Sequence, residues 1–295
     1  MNFSQELIDH VVDFVYDDRR TLCVTRLVSR SWNISARIHF FRKLRLRIVE
    51  PIGTDSESRV HKFTRLLDIL STSPDMAYFV REVTIDISGM TIAKWKIYDP
   101  LLSNILTQLK RVTTICLRQV YWPQLSPSFR SLLTSLLKSP QLQHLNMRDC
   151  SVPSLDFLNS SYALTQLRLS HFHFSKDVDA TKTIPPTINE SNATTKKNFL
   201  QSLYINTKPL KPLLDALLTS SSIDFTKLRS LNLDKINKID DIPSVCHLLQ
   251  IAGSSLESLT MWAPICQLPR LYCHFSTTYY LLSISPKMQL SNYRS

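Results

Sequence analysis

Arg118, Arg148 and Arg168 are the residues of this chain whose type and spacing best suit them to chemistry. They fall on three successive copies of a short apolar motif. If each copy is a strand, neighbouring copies lie only about 5 Å apart. Guanidinium groups so placed can each make bidentate, charge-assisted hydrogen bonds to a carboxylate or phosphate. Tyr204 and Trp262 occupy corresponding places on later copies and are candidate anchors, because aromatics dominate interface energetics. Such chemistry is recognition of an acidic or phosphorylated protein segment. The bland alternative is a solvated face with scattered arginines. Catalytic and metal-binding patterns fare worse. His171-x-His173 and Cys266, Cys273 and His274 do not make two close ligand pairs, as a structural zinc site requires. There is no Gly-x-Ser-x-Gly nucleophile elbow. The only glycines, Gly53, Gly89 and Gly253, are far apart, which excludes loops that cradle phosphates with clustered glycine. The expectation is a protein that is not an enzyme, with no cofactor, no metal and no small-molecule substrate.

Composition narrows the class further. The 295 residues are 43% hydrophobic and 20% charged, enough to bury a sizeable core. The net charge is +11. Residues 101–150 contribute heavily, with six Lys/Arg against Asp149 alone. No run of five like charges marks a nucleic-acid arm, so nucleic acid is not an expected partner. Six cysteines are scattered, no secretory apolar core opens the chain, and no apolar run approaches the ~20 residues of a membrane span. A cytoplasmic or nuclear protein with reduced thiols is expected.

The elements that must position the arginines come from a repeat. The template Leu-x-x-Leu-x-Leu recurs, with substitutions, at Val80-x-x-Val83-x-Ile85, Val112-x-x-Ile115-x-Leu117, Leu142-x-x-Leu145-x-Met147 and Leu164-x-x-Leu167-x-Leu169. It continues at Leu200-x-x-Leu203-x-Ile205, Leu228-x-x-Leu231-x-Leu233 and Leu256-x-x-Leu259-x-Met261. Starts are 32, 30, 22, 36, 28 and 28 residues apart, near or above the long end of the leucine-rich-repeat period. Each triplet reads as a strand pointing its apolar residues inward, with a helix covering the outside. Asp99-Pro100, Ser126-Pro127 and Asp241 read as helix starts, and Gly253 as a left-handed helix stop. The position where many repeats carry Asn or Cys holds Ser88, Val120, Cys150, Phe172, Lys208, Ile236 and Pro264. A regular side-chain ladder is therefore not expected. Residues 175–198 are polar, contain Pro185-Pro186, and read as a loop. The terminal stretch 266–295 shows no repeat and no polar cap, as if repeats were missing from this end.

Ahead of the repeats lies a helical stretch. Ser4 reads as an N-cap, and Leu7, Ile8, Val11, Val12, Phe14 and Val15 follow at helical spacing but cover more than one face. Asp17-Asp18-Arg19-Arg20-Thr21 reads as a polar turn. Leu22, Val24, Leu27 and Val28 make a second apolar face, and Ser31-Trp32 begins a third helix. A helix this short needs one apolar stripe; the surplus implies a second covered surface. Residues 3–44, with Glu6-Leu7-Ile8-Asp9, Asp18-Arg19-Arg20-Thr21-Leu22 and Leu27-Val28-Ser29-Arg30-Ser31-Trp32 in order, resemble the F-box-like domains abundant in fungi. That family usually opens Leu-Pro or Phe-Pro; here Phe3 is followed by Ser4. The resemblance implies a helical module that docks on the adaptor subunit of a cullin-type (SCF) ubiquitin ligase. It implies that Phe3, Leu7, Ile8, Val11, Leu22, Leu27, Val28 and Trp32 are shared between the module's core and that interface. Leucine-rich repeats are the usual companion of this module.

Together these readings predict an α/β chain: a three-helix F-box-like domain over 1–44, then an irregular leucine-rich-repeat solenoid over 45–265 with parallel strands inside and helices outside, then an irregular segment over 266–295. The implied function is a substrate receptor of the ligase, binding an unknown protein target on its concave face. A repeat scaffold without ubiquitin function, and a basic nucleic-acid binder, are the alternatives.

Overall fold

The computed structural model describes residues 3–48, 56–89, 92–155, 158, 161–174, 198–220, 223–234, 236 and 238–261. The expected loop 175–198 lies outside them except for Asn198, and so do the segment 266–295 and Trp262. The fold is mixed α/β, in two compact units, Met1–Leu136 and Leu137–Ser295.

The first unit opens with α1 (Gln5–Phe14), α2 (Arg19–Thr25) and α3 (Arg30–Arg42). Ser4 caps α1: its Oγ accepts from the Leu7 amide at 3.4 Å. Asp18 caps α2, accepting from the Arg20 and Thr21 amides at 2.9 and 3.3 Å. Arg19-Arg20-Thr21 is thus helical rather than turn, because Asp18, inside the polar run, caps the helix. The core of the three helices is Ile8, Val12, Leu22 and Ala36, with Val15, Trp32 and Phe40 packed against it.

Helix α3 passes directly into strand β1 (Lys43–Arg47). Then come α4 (Ser56–Thr72), α5 (Pro74–Phe79), β2 (Glu82–Asp86), α6 (Ile92–Gln108), β3 (Thr114–Arg118) and most of α7 (Pro127–Leu137). β1, β2 and β3 pair in parallel, in register Leu44↔Val83↔Ile115 and Leu46↔Ile85↔Leu117. β1 was not expected as a repeat strand, though Phe41-x-x-Leu44-x-Leu46 fits the template. Ser126 caps α7 as expected, its Oγ accepting from Phe129 N at 3.1 Å. Asp99-Pro100 does not start a helix; Pro100 lies inside α6. The turns before the proline are held by burial: Tyr98 packs edge-on to Phe63 and Trp95 edge-on to Phe129. Tertiary packing here outweighs the lost backbone bond.

The second unit carries β4 (His144–Arg148), β5 (Ser151–Val152), β6 (Gln166–Ser170), β7 (His173–Phe174), β8 (Asn198–Phe199), β9 (Ser202–Asn206), α8 (Lys211–Thr219), β10 (Ile223–Asp224), β11 (Ser230–Leu233), α9 (Ile242–Ala252) and β12 (Ser258–Met261). The strands β4, β6, β9, β11 and β12 pair in parallel in chain order. Five motif residues align in one row across them: Leu145↔Leu167↔Leu203↔Leu231↔Leu259. Over the whole chain, twenty of the twenty-one motif positions are buried, and Met261 is half-buried. Each motif copy thus falls on a strand that turns its apolar positions inward.

Two expectations need correction in this unit. Among the described residues no α-helix lies between β4 and β6, where 22 residues separate the motif copies and Leu158 is in a 3-10 turn. The two-residue strands β5 and β7 pair with each other instead, as do β8 and β10. Gly253 ends α9 with right-handed backbone (φ −48). Left-handed backbone occurs elsewhere, at Gln119, Asp149 and His171 (φ 52, 54 and 47), each the first residue after β3, β4 or β6. Val120, Cys150, Phe172 and Ile236 at the expected ladder position are buried and mostly apolar, so the ladder is replaced by packing.

Candidate functional site

Two surfaces collect the residues singled out in the sequence. The first is the outer side of α1–α3. Helix α1 carries two apolar stripes. Ile8, Val12 and Val15 face the core, whereas Phe3, Leu7, Val11 and Phe14, spaced four, four and three residues apart, are exposed. Residues at that spacing share one side of a helix. Val24, Leu27 and Val28 are exposed around the end of α2, Leu27 at 84%. Ile34 and Ile38 are exposed four residues apart on α3. Of sixteen large apolar side chains exposed among the described residues, ten fall within residues 3–38. Scattered exposed apolar residues are ordinary; such a concentration marks a contact surface.

The expected adaptor-binding residues therefore divide. Phe3, Leu7, Val11, Leu27 and Val28 are open to a partner, whereas Ile8 and Leu22 are buried and Trp32 is half-buried against the core. Ile8 and Leu22 can shape this surface only by holding the helices. Phe14, Tyr16, Val24, Ile34 and Ile38 complete the exposed set, and Phe14 was within reach of the sequence as the next step of the Leu7–Val11 stripe.

Polar contacts hold the helices together. Asp9 accepts from the Ser35 hydroxyl and, at 2.8 Å, from the Gln5 amide, bringing α1 onto α3. The Ser35 hydroxyl first and Gln5 second hold the Asp9 carboxyl below its ordinary value. Lys43 Nζ lies 2.9 Å from Asp17 and 3.9 Å from Glu82. The contact depresses the Asp17 carboxyl and raises the Lys43 ammonium. Thr21, through its hydroxyl, chiefly depresses Asp18. Arg19 and Arg26 both lie over the Phe40 ring, at 5.1 and 5.4 Å, an arrangement that fixes α2 against α3 through cation–π attraction.

The second surface is the strand face opposite the buried rows. In the second unit it holds two small networks. Arg148 Nε forms an ion pair with Asp149 Oδ2 at 3.3 Å, and His171 Nδ1 lies 2.9 Å from Asp149 Oδ1. Asp234 Oδ2 accepts from Asn206 Nδ2 (2.7 Å) and the Tyr204 hydroxyl (3.1 Å). The Arg168 guanidinium stacks 4.2 Å above the Tyr204 ring. The expected arginine triad does not form as three equivalent groups. Arg148 pairs in register with Ser170, while Arg168 pairs with Asn146 and Tyr204, two residues off. Arg148 is offset by its own carboxylate neighbour. Arg118, in the first unit, is exposed and pairs in register with Asp86. Arg168 and Tyr204 are brought together, on a platform anchored by Asp234. A pattern of arginines alone could not show this, because the partners Asp149 and Asp234 sit at different offsets from the motif.

Burial pushes the Cys246 thiol up, so it is not an activated nucleophile. No group of three or more His, Cys, Asp or Glu among the described residues is arranged to hold a metal ion. No described helix is long and apolar enough to cross a membrane. The chain matches no family model and no curated protein.

Proposed function

We propose that this chain is a substrate receptor of a cullin-type ubiquitin ligase, docking the ligase adaptor through α1–α3 and a protein target through the strand face of the repeats. The exposed second stripe Phe3–Leu7–Val11–Phe14 carries the reading. An isolated three-helix module has no use for an apolar side facing water, and the resemblance of residues 3–44 to F-box-like domains supplies the partner that covers it. The receptor itself needs no catalytic group, because it contributes proximity and orientation to a transfer run by the ligase. On the target side, Arg168 stacked on Tyr204 is the best-organised group for a carboxylate or phosphate, since a guanidinium held flat loses less freedom on binding.

Co-expression of the full chain with the ligase adaptor subunit tests this. A one-to-one complex is expected, lost in a Leu7→Asp, Leu27→Asp variant that keeps its melting temperature. A folded chain that ignores the adaptor would leave a repeat scaffold without a ubiquitin role. Trp32→Ala is a poor probe, because Trp32 packs on the module's core.

A further inference from the structure

We propose that Ser29 is a phosphate acceptor for a basic-directed serine/threonine kinase, and that its phosphate closes the helical surface to an apolar partner. The second clause rests on the docking reading; the first does not.

Ser29 stands at the N-cap of α3, exposed and with extended backbone (φ −163, ψ 173). Ser4 and Asp18 at the equivalent places use their side chains as caps, whereas the Ser29 side chain makes no capping bond. Its hydroxyl is therefore not committed to the fold. Arg26 precedes it by three residues and Arg30 follows it, a charge pattern that kinases read as specificity. The Leu27 and Val28 amides each close one turn, to the Val24 and Thr25 carbonyls at 2.9 and 3.1 Å. A connection held this lightly can open locally into the extended form that a kinase cleft accepts.

The reaction is ordinary phosphoryl transfer. Ser29 Oγ attacks the γ-phosphorus of a nucleoside triphosphate on the kinase. The Oγ–P bond forms as the bond to the β,γ-bridging oxygen breaks, the nucleoside diphosphate leaves, and the hydroxyl proton passes to the kinase's catalytic base. The product carries a charge of about −1.5 to −2 at pH 7. It adjoins Val28 and Leu27, two of the most exposed apolar residues of the module. An apolar partner lying across them would have to desolvate the phosphate, at heavy cost. The phosphate also competes for Arg26, which now lies over Phe40 and donates to Asn33 Oδ1 at 3.4 Å.

The test uses the full chain, a recombinant kinase that selects arginine three residues before the acceptor, and ATP. Mass mapping is expected to place one phosphate on Ser29 and none on a Ser29→Ala variant. The modified chain should keep its melting temperature. It should bind at most half as much of a neutral apolar dye as the unmodified chain, and the ligase adaptor at least tenfold more weakly. Labelling that avoids Ser29 overturns the proposal, and so does a phosphate on Ser29 that leaves dye binding unchanged. If the unmodified chain does not bind the adaptor, the docking reading has failed, and mapping and dye decide this proposal by themselves.

Discussion

Leu7 and Leu22 are chemically identical and have opposite environments, which separates surface from core most simply. Leu22 is fully buried among Ile8, Val12 and Ala36, so Leu22→Ala should destabilise the helical module by about 2–5 kcal/mol, read as faster amide exchange across α1–α3. Leu7→Asp should stay within about 0.5 kcal/mol of the parent, since it changes only an exposed site. Acid should act on the same helices. Asp9, Asp17 and Asp18 are all held below their ordinary value of 3.8. The unfolded chain takes up these protons near 3.8 and the folded chain only at lower pH. Their contribution is thus fully present above about pH 4 and is lost as pH falls through the depressed values. Circular dichroism and amide exchange during acid titration should show α1–α3 loosening in that range, with Asp9→Asn removing part of the effect. Lys43 runs the other way: raised above 10.5, its contribution is present at neutral pH and lost only in strong base.

At the scale of elements, repeated positions share repeated backbone. Gln119, Asp149 and His171 are left-handed at one equivalent place, although none is glycine. A left-handed non-glycine residue costs of order 1 kcal/mol or more. Gln119→Gly should therefore be neutral or stabilising by up to about 1 kcal/mol, measured from the urea midpoint at unchanged slope. Asp149 and His171 offset that cost with their mutual contact. Buried Asp241 ties two helices: its Oδ1 accepts from the Lys211 amide at 3.0 Å, at the start of α8, and its Oδ2 from Lys238 N at 3.2 Å, just before α9. Asp241→Ala should cost about 1 kcal/mol by leaving two partly buried amides without their side-chain acceptor. The strands were legible because period-two alternation around the leucines is a strong local signal, and every motif copy became one. The start of α7 was legible because its cap is local. What the sequence hid was non-local. Pro100 reads as a helix start until Trp95 and Tyr98 are seen packed ahead of it. Residues 56–79 carried Phe63, Leu66, Leu67 and Leu70 at helical spacing, yet no capping residue drew notice to them. On the site, the two-stripe character of α1 was visible as excess apolar residues, but which stripe faced inward was decided by α3. The arginine face was only half legible, since Asp149, Tyr204 and Asp234 determine which guanidinium is engaged and how.

For the molecule as a whole, a charge of +11 predicts retention on a cation exchanger at pH 7. Any binding to nucleic acid should collapse between about 50 and 200 mM salt if it is only counterion release; persistence above that range would revive the nucleic-acid reading. The passage from α3 to β1 carries a further consequence. Helix α3 ends at Arg42 and β1 begins at Lys43 with nothing between. The Lys43 ammonium reaches back to Asp17 and across to Glu82, and Arg37 Nη2 reaches Met76 Sδ on α5 at 3.4 Å. These contacts tie the three helices to β1, β2 and α5 within their unit. If the docking proposal holds, such a joint favours one angle between the docked helices and the first strands, as a bracket does and a flexible tether does not. A target lysine carried on the first-unit strands, beside Arg118 for example, would then sweep a narrow arc, and under that proposal geometry more than collision frequency would set which acceptor receives ubiquitin. A four-residue Gly-Ser hinge placed between Arg42 and Lys43 would widen that arc, trading selectivity among acceptor lysines for reach.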